Sequence, residues 1–129
     1  MTDLNVAIYR RAGKGKIRHW AIWLKSYNPE ESVILQLTDN MYGYDYRIAD
    51  PVYSSPVHSG RLESIIGCGS IREEKHQLAL DAILNYPVHN RGEAWNCQSW
   101  VFDCLDLLDR MGALDFASQG RDCLEALRE

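Results

Sequence analysis

Asn96-Cys97-Gln98-Ser99-Trp100-Val101-Phe102-Asp103-Cys104-Leu105-Asp106-Leu107-Leu108 is the stretch on which the fold of this 129-residue chain turns. Cys97, Trp100, Val101, Cys104, Leu105 and Leu108 fall at i, i+3, i+4, i+7, i+8 and i+11, the spacing of one apolar face of an α-helix. Asn96 is of a type that caps helices, and Met111-Gly112 ends the run. Gln98, Asp103, Asp106, Asp109 and Arg110 fall on the other side and read as a solvated face. A helix with one apolar face needs a surface to cover it.

That surface is read from the first half of the chain. Residues 4–9, 17–25 and 32–38 are rich in Val, Ile, Leu, Tyr and Trp and are bounded by Gly, Lys, Asn or Pro, so they read as strands. Residues 13–16 and 26–31 between them have hairpin length, which predicts an antiparallel sheet. Residues 42–48 and 62–66 are a fourth and a fifth strand. Cys68 between Gly67 and Gly69 reads as a tight strand-to-helix turn. Ser70-Ile71-Arg72-Glu73 has the form of a capping box, opening a helix over 70–85 that Tyr86-Pro87 stops. Residues 118–128 form a short terminal helix. The expected class is α+β: an antiparallel sheet of four to five strands packed against two or three helices, in a single domain over residues 1–129.

Composition limits the function. With 46% hydrophobic and 25% charged residues the chain has the balance of one that buries a core, not of a disordered one. A formal net charge of −4 gives no general attraction to nucleic acid, and no nucleic-acid partner is expected. No secretory signal pattern and no apolar run near the roughly 20 residues of a membrane span is present, so the expectation is a cytoplasmic protein without membrane contact. The four cysteines show no grouping with zinc-ligand spacing, and neither a metal nor a cofactor is expected. Cys97 and Cys104 on one helix stand about 10 Å apart and cannot be bridged. Reduced thiols fit a reducing compartment.

A thiol attacks only as thiolate, and the first turn of a helix favours an anion. Cys97 stands there if Asn96 caps, and the same backbone N–H groups are expected to hold an oxyanion. His19, in the apolar strand Arg18-His19-Trp20-Ala21-Ile22-Trp23-Leu24, is the candidate general base, with His89 in the loop before Cys97 as a reserve. A third group commonly orients such a base. Gln36, the one polar side chain in Val33-Ile34-Leu35-Gln36-Leu37, is the candidate; Asp39 and Asn40 are alternatives. Cys104 and Cys123 read as packing residues, and His58 and His76 as ordinary surface ones. Arg10, Arg11, Lys14, Lys16 and Arg18 put five cations in nine positions without a phosphate-loop motif, which reads as a solvated hairpin or a receiver for an anionic substrate. Tyr42, Tyr44, Tyr46 and Tyr53 line either a sheet face or a pocket.

The order of His19 on a strand, a polar residue on the next strand and Asn96-Cys97-Gln98-Ser99-Trp100 opening a helix resembles the circularly permuted papain-like fold of the NlpC-type superfamily. The branch in question includes lecithin:retinol acyltransferase-like proteins, in which the histidine precedes the cysteine. His19-Trp20-Ala21-Ile22-Trp23 and Asn96-Cys97-Gln98-Ser99-Trp100 are also similar to segments of small fungal proteins of unsettled function. The resemblance spans about residues 6–114. It implies Cys97 as nucleophile, His19 as base and Gln36 as third member, where many relatives carry a second histidine. Trp20, Asn96, Gln98 and His89 are the residues expected to contact substrate. The implied activity is that of a thiol hydrolase or acyltransferase, acting through a Cys97 thioester on an amide, peptide or (thio)ester bond of a small molecule or peptide. No counterpart of the acyltransferases' membrane anchor is expected, and with it no retinoid or phospholipid substrate. The alternative is a catalytically degenerate member serving as a binding module.

Overall fold

The computed structural model describes residues 1–39, 46–88 and 95–129. Its main sheet is antiparallel and has the strand order β3-β2-β1-β6-β7, with β1 over Thr2–Tyr9, β2 over His19–Ser26, β3 over Val33–Leu35, β6 over Leu62–Ile71 and β7 over Asp115–Phe116. A second, two-stranded sheet joins β4, Leu37–Asp39, to β5, Tyr46–Ile48. Three helices complete the described chain: α1, His76–Leu84, α2, Cys97–Arg110, and α3, Ser118–Leu127. The class is α+β, with an antiparallel sheet and helices as expected.

Strand alternation decides which side carries the core. Leu4, Val6 and Ile8 of β1 and Trp20, Ile22 and Leu24 of β2 are all essentially buried, and with Val33 and Leu35 they face the helices. The apolar stripe of α2 meets them through Trp100, Val101, Cys104, Leu105 and Leu108, joined by Ile83 of α1 and Leu124 of α3. Phe102, outside that stripe, is buried too, because Trp20 packs on it and Arg128 stacks over its ring at 4.8 Å. The opposite sheet face holds a smaller cluster of Ala21, Trp23 and Ile34 with Tyr9 and Ile65. Tyr9 and His19 are register partners at the β1–β2 end, so His19 stands at the rim of the sheet.

Four expectations need correction. The strand expected over 32–38 changes partner at Gln36: Val33–Leu35 pairs with β2, whereas Leu37–Asp39 pairs with β5. The returning chain takes Gln36 through its carbonyl, which accepts Ala49 N–H at 2.9 Å. The turn at Cys68 and the capping box at Ser70 do not form. β6 runs through to Ile71, with Ser70 in register with both Asp3 and Asp115 and Cys68 fully buried. Two neighbouring strands claim this backbone, and α1 starts only after a 3₁₀ turn at Glu73–Lys75. Gly69 is required by close approach: at φ +150 a Cβ there would stand 2.3 Å from the Asp115 carbonyl oxygen. Finally, Gln98 is not on a solvated face but is fully buried.

Of the residues expected in strand or pocket roles, Asn40, Tyr42 and Tyr44 lie outside the described residues. No described helix is long and apolar enough to cross a membrane.

Candidate active site

Asn96 caps α2 in the manner its position suggested. Its Oδ1 accepts the backbone N–H of Gln98 at 2.9 Å and of Ser99 at 3.2 Å, and Ser99 Oγ returns a bond to the Asn96 N–H, completing a capping box. Cys97 is therefore the first residue of the helix, where the dipole favours an anion. Three of the amides of this turn, where an oxyanion site is expected, are engaged within the helix. Those of Gln98 and Ser99 are committed to Asn96, and that of Trp100 bonds the Asn96 carbonyl at 3.0 Å.

The Cys97 side chain reaches the start of β2. Its Sγ lies 3.9 Å from the Arg18 carbonyl oxygen, one residue before His19. Cys97 and His19 both line a cleft of about 420 Å³ whose other walls include Lys16, Leu37, Thr38, Tyr46 and Asn96. Cys97 is 9% exposed and lines this cleft, so the fold brings a cysteine and a histidine from distant positions of the chain to the walls of one cleft.

Gln36 fixes the imidazole. Continuing the β2–β3 register beyond Ile22–Leu35 sets Gln36 opposite Ala21, one pleat from His19 on the same face. Its Oε1 is 2.8 Å from His19 Nε2. A carboxamide oxygen only accepts, so the neutral tautomer that makes this bond has the hydrogen on Nε2 and the lone pair on Nδ1. Tyr9 packs against the ring at 5.7 Å between centroids.

The other expected substrate contacts fare differently. Trp20 is fully buried against Phe102 in the core and does not line the cleft, because β2 alternates it to the helix side. Gln98 is a strut: its Nε2 donates to the Arg18 carbonyl at 3.0 Å, and its Oε1 accepts Glu129 N–H at 2.8 Å. Asn96 lines the cleft while its side chain serves the helix cap. His89, the reserve base, lies outside the described residues. Among the described residues no group of His, Cys, Asp and Glu could hold a metal ion.

Sequence reasoning missed Glu129, whose carboxylate accepts the Arg18 N–H at 2.9 Å and pairs with the guanidiniums of Arg11 and Arg18. Nothing local in Leu127-Arg128-Glu129 marks it, since its cationic partners Arg11 and Arg18 are over a hundred residues away. The Arg18 N–H bond, more than any other contact, holds the Glu129 carboxyl below its ordinary 4.5, aided by both guanidiniums and opposed by burial. A depressed carboxylate contributes stability above the unfolded pKa and loses it as pH falls through the folded one. The wild type is thus expected to melt above Glu129→Gln at neutral pH, the two converging as acid passes below the ordinary glutamate range.

The comparisons give one match. A family model described as "Family of unknown function (DUF6540)" matches residues 6–115. The chain belongs to the DUF6540 family. No curated protein and no solved structure matches it. His19, Gln36 and Cys97 all lie within the span that defines DUF6540 here, whereas α3 and Glu129 lie beyond it.

Proposed function

We propose that this protein is a cysteine-dependent hydrolase or acyltransferase of the permuted papain-like kind, acting on an amide, peptide or (thio)ester of a small molecule or peptide. One observation carries the reading: Cys97 and His19 line the same cleft, with the His19 ring held by Gln36 so that its basic nitrogen is Nδ1. In the step this supports, Nδ1 takes the Cys97 proton and the sulfur adds to the substrate carbonyl. The tetrahedral adduct collapses as the leaving group departs with the proton from Nδ1, and a Cys97 thioester remains. Water or an acyl acceptor then gives its proton to Nδ1 as it attacks the thioester, and the thiol is regenerated.

The alternative, a binding module on the same scaffold, draws support from the cap. Asn96 occupies two of the amides an oxyanion would use.

Acylation separates the two. Burial pushes the Cys68 thiol up to about 12 and also raises that of Cys104, while Cys123 is exposed. In a Cys123→Ser background, p-nitrophenyl acetate is expected to add one acetyl group, mapped by mass spectrometry to the peptide containing Cys97, with at least one p-nitrophenolate released per acetyl group added. Cys97→Ala should take up none. Acetylation no faster than that of a free thiol peptide would support the module instead.

A further inference from the structure

A second cleft of about 420 Å³ adjoins the first, sharing Ala12, Ile17 and His19 with it and adding Tyr9, Arg10, Gln36, Ser59 and Arg61. Its two arginines clasp each other's backbone. Arg10 N–H donates to the Arg61 carbonyl at 2.8 Å, and the Arg10 guanidinium donates to the Gly60 carbonyl. The Arg61 guanidinium donates to the carbonyls of Arg10, at 3.1 Å, and Arg11, at 2.7 Å. Carbonyl oxygens hold a guanidinium in place without cancelling its charge. Each arginine has five N–H donors, so both keep donors to spend.

The surrounding charges divide cleanly. Arg11 and Arg18 pair with Glu129, and Arg18 also with Glu63 at 2.6 Å. No described carboxylate pairs with Arg10, Lys14, Lys16 or Arg61. In a chain of net charge −4, three of these cations, Arg10, Lys16 and Arg61, line the two joined clefts and form a local excess of positive charge that suits an anion from outside. The basic hairpin alone does not account for this arrangement, because Arg61 comes from the approach to β6.

We propose that this second cleft binds an anionic oxygen group, a carboxylate or a phosphate, between Arg10 and Arg61. Two oriented guanidiniums suit the paired oxygens of either group. The Ser59 hydroxyl and the Tyr9 phenol, raised by burial and so a neutral donor, complete the lining. Where the nucleophile reading above holds, the anion belongs to the substrate: seated here, it would set the scissile carbonyl across His19, toward Cys97. The anion site itself does not depend on that reading.

The test therefore uses ¹⁵N-labelled Cys97→Ala protein, titrated with inorganic phosphate and separately with succinate, sodium chloride holding ionic strength constant. Saturable amide shifts centred on Arg10, Ser59 and Arg61 are expected, and whichever probe saturates first tells phosphate from carboxylate. Arg10→Gln and Arg61→Gln should each weaken binding about tenfold, the scale of a charge-assisted hydrogen bond, while Lys25→Gln on the far end of β2 leaves it unchanged. Arg61→Gln also removes carbonyl contacts, so Arg10→Gln decides if Arg61→Gln does not fold. Shifts in the Cys97→Ala parent no larger than those with chloride, or an equal loss when Lys25→Gln is added, would overturn the site while leaving the acylation result untouched.

Discussion

Replacing His19 by alanine is expected to slow acetylation of Cys97 by about 10²–10⁴-fold near neutral pH, the range by which a positioned general base contributes. That is about 3–5 kcal/mol of barrier. The size follows from how completely the ring is fixed. Tyr9 packs on one side, Gln36 Oε1 holds Nε2, and the β2 backbone places the residue directly after the carbonyl that the Cys97 sulfur approaches. Gln36→Ala should cost less, about tenfold, because the ring stays packed while its tautomer is no longer dictated. An amide partner adds no full negative charge to stabilise imidazolium, so the two variants should differ in size of effect. His19 is only half-buried, and its removal should leave the melting temperature nearly unchanged. Equal rates in wild type and His19→Ala would remove histidine from the chemistry.

What was legible in the sequence was whatever short-range physics decides. The start of α2 was visible because Asn96 and the apolar spacing of Cys97, Trp100, Val101 and Cys104 act within a few residues. The His19–Gln36 pairing was legible through alternation, one polar side chain in each of two adjacent apolar strands. Long-range competition was not legible. Gly67 and Gly69 carry a turn signal, but here both lie inside a continuous strand, where Gly69 allows the close backbone approach of β7. Gln98 looked solvated on a helical wheel, which contains neither the start of β2 nor Glu129. Arg61 carried no signal at all, because its significance is a carbonyl clasp to a hairpin some fifty residues earlier.

Gly120→Ala is expected to be the most damaging small substitution in the helices, lowering stability by about 2–3 kcal/mol and the melting temperature by about 10 °C. An alanine in a helix would ordinarily gain about 1 kcal/mol over glycine. Here a Cβ would stand 2.0 Å from the Gly67 carbonyl oxygen and 3.0 Å from the Cys68 Cα. Both are backbone atoms of β6, so no rotamer change relieves the contact and α3 must lift from the sheet. The consequence reaches the site. α3 leads into Arg128, which stacks on Phe102, and Glu129, which binds Arg18 and Gln98 beside Cys97. Gly13→Ala is the control, having no atom within 4 Å of its Cβ position, and should shift stability by less than about 0.5 kcal/mol. Thermal melts of the two variants, with proton exchange at the Glu129 amide, test the chain of contacts. If Gly120→Ala melted like Gly13→Ala and kept that amide protected, α3 would not be what holds Glu129, Gln98 and Arg18 in place.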